Sequence, residues 1–365
     1  MAYAGLFPRV PGSEEAERIR HPETEDIARR IGVISPKRLY INDHPVGNPI
    51  AAFNPALAII DGEARLYVRV IVGYYKYVSA IAEVKIPLDD IETGDVNLNY
   101  YSGRLVVYPS TQYDFWGTED PRVYKLGDKL LMTYTGRTRY YFEPIKGRIR
   151  TIPVTAVRIS DSRWHKKLVT TLSGRLQEQV ITAKNAFFVD MGESIYFFHR
   201  LHLVDEKFYL VASKVDKKTL TELIEQPGEN IRELVLGQTA LVMEPARFEA
   251  KIGWATPPIR LGGGKILAFL HGVDKSLTAY RLFAAELEES GEGLVVNAVT
   301  PRYIMEPRTL YEVYGDRSYT IFPCGIWRLD RSRLLLSYGA ADYMAGLAEI
   351  SIDELLGLLD KGRIH

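Results

Sequence analysis

Five stretches of this chain share one shape, and units that cannot each close a core alone must bury their apolar faces by stacking on one another. They run from Phe53 to Val70, Glu119 to Arg137, Ala183 to Arg200, Ala255 to Gly272 and Phe322 to Asp342. In each, a short apolar segment leads to a turn and a second apolar segment returns. The turns fall near Asp61-Gly62, Gly127-Asp128, Met191-Gly192, Gly262-Gly263 and Asp330-Arg331, at intervals of about 64 to 72 residues. That interval holds about four strands, the size of one propeller blade. Between the turns the chain alternates Val-, Ile-, Tyr- and Phe-rich runs with Gly, Asp and Pro, the composition of many short strands.

The expected fold is therefore all-β, a five-bladed β-propeller over residues 49–351. An irregular sandwich with regularly spaced turns is the alternative. Before it, residues 1–48 read as a helical extension, since Ser13 to Ile31 opens with a Ser cap and acidic residues and carries sparse apolar positions at Ile19, Ile27 and Ile31. After it, residues 352–365 read as a C-terminal helical segment. Either end can pack on its own fold or mediate self-association, so a homo-oligomer stays open.

Hairpin geometry makes a further prediction. The residues entering the first strand and leaving the second lie together, opposite the turn. Those ends carry Asn54 and Arg69, Asp120 and Arg137, Lys184 and Arg200, Thr256 and His271, and Asp342, which would gather on one rim of a central channel. Convergent polar groups in a concave setting mark a binding or catalytic site.

Charge narrows the partners. The 365 residues hold 46 Lys plus Arg and 46 Asp plus Glu, a balance that gives no electrostatic reason for nucleic acid or an anionic membrane as partner. A neutral or small substrate fits better. The single cysteine, Cys324, excludes an intramolecular disulfide and suits a reducing compartment. With an N-terminus that lacks a cationic start followed by an apolar core, this leads to the expectation of a cytoplasmic protein. Of the histidines, only His199 and His202 are closely spaced, so no metal is expected.

Taken together, Asn54-Pro55-Ala56, Glu119-Asp120-Pro121-Arg122, Pro257-Pro258-Ile259, His271-Gly272-Val273, Tyr280-Arg281, Phe322-Pro323-Cys324-Gly325 and Tyr338-Gly339-Ala340-Ala341-Asp342 resemble glycoside hydrolase family 130, the β-mannoside phosphorylases and related hydrolases. The resemblance implies a five-bladed propeller and inverting phosphorolysis of β-1,4-mannosides to α-mannose 1-phosphate. Asp120 would be the general acid, delivering its proton through a sugar hydroxyl to the glycosidic oxygen. Inorganic phosphate would be the co-substrate, with no cofactor. Asn54 and Asp342 would hold the sugar at the cleaved position, and Arg122 and Trp116 are further substrate-binding candidates. Phosphate needs several cationic donors around one point. The candidates are Lys184, Arg69, Arg137, Arg200, His271 and Tyr280, with Arg139 able to replace Arg137.

Two departures stand out, Asn185 beside Lys184 and Leu201 after His199-Arg200, where the family commonly has Asp and Pro. Acceptor contacts are expected from the loop Thr138 to Lys146. Asp-Pro also caps turns without any catalytic role, and two other functions stay open: an inverting hydrolase, and a propeller that only binds sugar or protein.

Overall fold

In the computed structural model, residues 5–73, 77–139, 149–226, 228, 230–291 and 293–364 are described. The chain is all-β, with four sheets among the described residues; the largest, of nine strands, holds two antiparallel groups joined by one parallel bridge, Thr151 to Thr182, so the strands fall into five antiparallel groups of four plus two parallel edge strands. The first comprises Ala51–Ile60, Glu63–Ile71, Ser79–Pro87 and Tyr101–Val107, with Leu39–Ile41 added in parallel at its outer edge. The second comprises Thr118–Leu126, Lys129–Arg137, Thr151–Ser160 and Arg163–Leu172, edged in parallel by Arg232–Leu236. Val180–Asp190, Ile195–Leu203, Phe208–Val215 and Gln238–Met243 form the third, and Glu249–Gly262, Lys265–Asp274, Tyr280–Ser290 and Gly293–Val299 the fourth. Each of the five repeated stretches supplies the first two strands of a group.

The fifth group takes only three strands from the C-terminal part of the chain, Ile321–Arg328, Arg333–Ala340 and Met344–Ser351. Its fourth is Ala28–Ile34, which runs antiparallel to Met344–Ser351 with Ala28 opposite Ile350 and Ile34 opposite Ala345. This corrects the expectation of a helix from Ser13 to Ile31, because the helix spans only Ser13–Ile19. The polar pattern of Arg29 and Arg30 suits an exposed helix when read locally. In the fold, Arg29 pairs with Glu349 and Arg30 with Asp26 and Glu312, while Ala28 and Ile34 enter the core. Long-range strand pairing overrides local propensity here. At the other end, Ile352–Asp360 is helical, capped by the Ser351 hydroxyl.

The first strands of the groups touch in cyclic order, from Ala51–Ile60 through Thr118–Leu126, Val180–Asp190, Glu249–Gly262 and Ile321–Arg328 and back to Ala51–Ile60. Their central residues are buried on both faces, which explains runs such as Ala56-Leu57-Ala58 that show no alternation. Small side chains permit this approach. A Cβ on Gly325 would lie 2.3 Å from the backbone nitrogen of Leu57, so the last group can meet the first only through glycine. No helix among the described residues is long and apolar enough to cross a membrane.

The N-terminal segment is also tied to the fourth group by a buried ion pair. Arg20 donates to both carboxylate oxygens of Glu249 at 2.6 and 2.7 Å, its guanidinium lies 3.5 Å from the centroid of Phe283, and the Tyr303 hydroxyl donates to Glu249 at 2.5 Å. Removing one partner strands the other charge in the core. Arg20→Ala should cost about 3–5 kcal/mol of unfolding free energy, read from urea titrations, whereas Arg20→Met combined with Glu249→Leu should cost clearly less.

Candidate active site

A repeated backbone device builds the site. Each first strand breaks register with its neighbour at the corresponding point, between Phe53 and Ala56, Glu119 and Arg122, Lys184 and Phe187, Thr256 and Ile259, and Pro323 and Gly325. These are β-bulges, which re-aim side chains out of the strand's alternation. At three of them the bulged residue is left-handed, Asn54 at φ 49°, Asp120 at φ 50° and Asn185 at φ 57°. Asn and Asp tolerate this region better than other side-chain-bearing residues. All three side chains point into one cavity of about 600 Å³. Asp342, at φ 52°, enters it from the turn after Arg333–Ala340.

Asp120 is fixed from two sides. Asn54 Nδ2 donates to its Oδ1 at 2.8 Å and an Arg69 guanidinium nitrogen donates to the same oxygen at 3.0 Å. Behind it Glu119 is fully enclosed and accepts from Arg69 at 3.1 Å, Arg137 at 2.7 Å and Lys184 at 3.1 Å. Burial alone would raise both carboxyl pKa values. Arg69, Lys184 and Arg137 reverse this at Glu119 and hold it well below the usual carboxylate range, and Arg69 likewise keeps Asp120 below its ordinary value despite the adjacent Glu119 charge. The unliganded Asp120 is thus an anion.

Asp342 behaves oppositely. Burial pushes its carboxyl up to about 6, and the nearby Arg317, 3.3 Å away, and Arg69 only partly counter this. The same cavity is lined by Arg200 and Lys251, neither within ion-pair distance of a carboxylate among the described residues. Burial lowers the pKa of both, helped by Arg122 at Arg200 and by Arg200 at Lys251, while Tyr280 partly opposes it at each. Tyr280 accepts from Arg317 at 3.2 Å, and Lys251, Arg317 and Arg200 outweigh its burial to draw its hydroxyl below the ordinary value. Among the described residues, six cationic side chains and four carboxylates line the cavity, two positive charges in surplus.

The structure thus brings together Asn54, Arg69, Asp120, Arg137, Lys184, Arg200, Tyr280 and Asp342. Arg137, not Arg139, reaches the cavity wall. Arg122, His271 and Trp116 do not line it. Arg122 is completely buried and donates to the carbonyls of Asp120 at 2.6 Å and Ala255 at 3.0 Å, so it holds the bulge that carries Asp120. His271 is enclosed beside Phe322 and Tyr280, and burial together with Arg200 keeps it well below its usual pKa, hence neutral. Trp116 packs edge-on to Phe115, and its backbone N–H donates to the Arg137 carbonyl at 3.0 Å. Thr256 turns its hydroxyl to the Pro257 carbonyl. His199 bonds Ser213 at 3.0 Å and His202 bonds Glu206 at 3.1 Å, so the close pair is not directed at one point. Of the loop from Thr138 to Lys146, Tyr140 onward lies outside the described residues.

Sequence reading missed Glu119, Lys251, Asn185 as a cavity residue, and the loop residues Tyr77, Asp316 and Arg317. Asn185 had a signal, since it occupies the place in its repeat that Asn54 and Asp120 occupy in theirs.

Comparison with known proteins agrees with the cavity's chemistry. A family described as beta-1,4-mannooligosaccharide phosphorylase, Glyco_hydro_130, matches residues 18–361. The chain belongs to glycoside hydrolase family 130. Its members are glycoside phosphorylases and related glycosidases acting on mannosides, and this chain is an enzyme of that kind. A beta-1,2-mannobiose phosphorylase of Thermoanaerobacter sp. is 25% identical over 285 residues, 77% of this chain and 80% of the relative. The fold is shared with a beta-1,2-mannobiose phosphorylase from Listeria innocua, solved with beta-1,2-mannobiose, at a TM-score of 0.67 and 17% identity, covering 91% of this chain and 99% of the other. A mannose phosphorylase from Leishmania mexicana, solved with a phosphate ion, matches at a TM-score of 0.53 and 15% identity over 90% of each chain.

The raised pKa of Asp342 has a stability consequence. Its carboxyl holds a proton more tightly folded than unfolded, so its contribution favours the fold below the unfolded value of about 4 and is lost as pH rises through about 6. Asp342→Asn, neutral at every pH, should reduce the fall in stability between pH 4 and pH 7 by about 1–3 kcal/mol, measured by urea unfolding at each pH.

Proposed function

We propose that this family 130 enzyme is an inverting phosphorylase of short β-mannosides, with Asp120 as general acid, Asn54 and Asp342 holding the sugar at the cleaved position, and phosphate received by Arg200 and Lys251 with Tyr280 beside them. The observation that carries the reading is the pairing, in one cavity, of an oriented carboxyl with two cations that have no carboxylate within ion-pair distance among the described residues. A surplus of two positive charges suits a phosphate dianion. In a phosphorylase the nucleophile arrives as an anion, so no second carboxylate has to activate water. The cavity volume falls within the range of about 300–1,000 Å³ usual for small-molecule sites, which accommodates a short oligosaccharide and phosphate together.

An acid must be protonated when it acts, yet Asp120 rests as an anion. Phosphate supplies the missing condition. Its charge offsets the cations that hold the Asp120 proton off, which raises the affinity of Asp120 for a proton as the ternary complex assembles. Arg69, Arg137 and Lys184 then act through Glu119 and Asp120 rather than as the main phosphate ligands.

The same reading takes the five strand groups as blades of a closed propeller that covers residues 49–351 and draws Ala28–Ile34 from the segment 1–48 as a blade strand, with 352–365 as a C-terminal extension. The cyclic contact of the first strands supports it. The buried, unpaired Cys324 favours a cytoplasmic setting. For linkage, the family description points to β-1,4 and the curated relative's name to β-1,2, so both dimers are the substrates to compare.

Incubation with β-1,4- and β-1,2-mannobiose should yield mannose 1-phosphate only when phosphate is present. Release of free mannose without phosphate would instead identify a hydrolase. Asp120→Asn should lower kcat by at least about a thousandfold while leaving circular dichroism and the unfolding midpoint near those of the unchanged chain.

A further inference from the structure

One contact on the cavity wall joins two loops from opposite ends of the chain. Tyr77 lies between Glu63–Ile71 and Ser79–Pro87 in the first group, and its hydroxyl donates to Asp316, on the segment leading into the fifth group. Both residues line the cavity. Burial and the Asp316 carboxylate raise the Tyr77 hydroxyl above its ordinary pKa, so it remains a donor. Its ring packs against the small cluster of Ala51, Phe53 and Ile71.

The Asp316 segment is held down at two further points. Arg317 pairs with Asp342 at 3.3 Å and donates to the Tyr280 hydroxyl at 3.2 Å, while its backbone N–H donates to the Ala341 carbonyl at 3.0 Å. Gly315 rests directly on the same turn, where an added Cβ would lie 2.4 Å from the Ala341 carbonyl oxygen and 2.6 Å from the Ala341 Cβ. No residue with a side chain fits there without moving the segment. Gly315 sets its height, and Asp316 then meets Tyr77 across the cavity wall on the side of Asp342.

We infer that the Tyr77–Asp316 bridge ends the sugar subsite formed by Asn54 and Asp342, and so restricts cleavage to the terminal mannosyl unit. The inference rests on the mannoside reading above. The tie between side chains of two separate loops closes the wall where a chain continuing beyond that sugar would have to pass. With the bridge intact, phosphate oxygen bonds to the anomeric carbon of the terminal unit, the bond to the glycosidic oxygen breaks, and that oxygen leaves with the Asp120 proton. With the bridge open, the same exchange of bonds proceeds one linkage further in and releases a disaccharide phosphate.

The test uses the full chain, inorganic phosphate and a linear β-mannotriose reduced at its reducing end, with products resolved by mass. The unchanged protein should release mannose 1-phosphate almost exclusively. Tyr77→Ala, which removes the bridge, and Gly315→Ala, which displaces the loop without touching the cavity, should each raise the share of mannobiose 1-phosphate by about tenfold or more. Tyr77→Phe keeps the ring and loses only the hydroxyl, and should give a smaller rise in the same direction, which keeps the inference testable where the alanine variant folds poorly. The ratio is read within each variant, so a general loss of rate does not mimic the effect. An unchanged ratio in Tyr77→Phe and Gly315→Ala, with the unchanged protein active, overturns the bridge as the determinant. Absence of any sugar phosphate from the unchanged protein removes the phosphorylase reading, and free mannose against free mannobiose then reads the bridge by the same ratio.

Discussion

Glu119 is the charge on which the centre of the molecule depends. It is enclosed by protein yet accepts from Arg69, Arg137 and Lys184 at once, and without it the buried Arg69 and the half-buried Arg137 and Lys184 would lose the one carboxylate that all three share. Its worth lies less in attraction than in the desolvation it makes tolerable. One of the three, Arg69, then has its second guanidinium nitrogen free to hold Asp120. The neighbouring residues Glu119 and Asp120 therefore divide the labour. The first is sunk among cations for good, and the second sits where ligand charge can change its protonation.

That division comes from the bulge between them. A regular strand would send consecutive side chains to opposite faces. The left-handed turn at Asp120 breaks the alternation, and the completely buried Arg122 locks it by binding the Asp120 carbonyl. Asn54 and Asn185 repeat the device in the first and third groups. Asn, Asp and Asn at equivalent points of three repeats share one backbone requirement, and chemistry was selected among the residues that meet it.

Much of the fold was legible because hairpins are local: turn residues and the paired apolar segments beside them lie within a few positions of each other. The rim that gathers Asn54, Asp120, Lys184 and Asp342 followed from the same locality. What escaped sequence reading depends on distance. Ala28–Ile34 reads as helix until its partner, some three hundred residues later, is known. Lys251 and Glu119 carry no sign of their role because burial and neighbours decide it. Arg122 and His271 show the converse, since residue type suggested ligand contact and enclosure removed them from the cavity. Polar identity is written in the sequence, whereas solvent access is a property of the packed whole.

The strand Ala28–Ile34 also has a temporal meaning. Its ladder partner among the described residues, Met344–Ser351, is made some three hundred residues after it. Until then one early strand keeps an open edge, and the fifth group lacks its outermost strand. Closing so long a loop is slow and leaves strand edges exposed meanwhile. The early strand thus stays without its ladder until Met344–Ser351 has been made, and the pairing that completes the fifth group is one of the longest-range contacts in the fold.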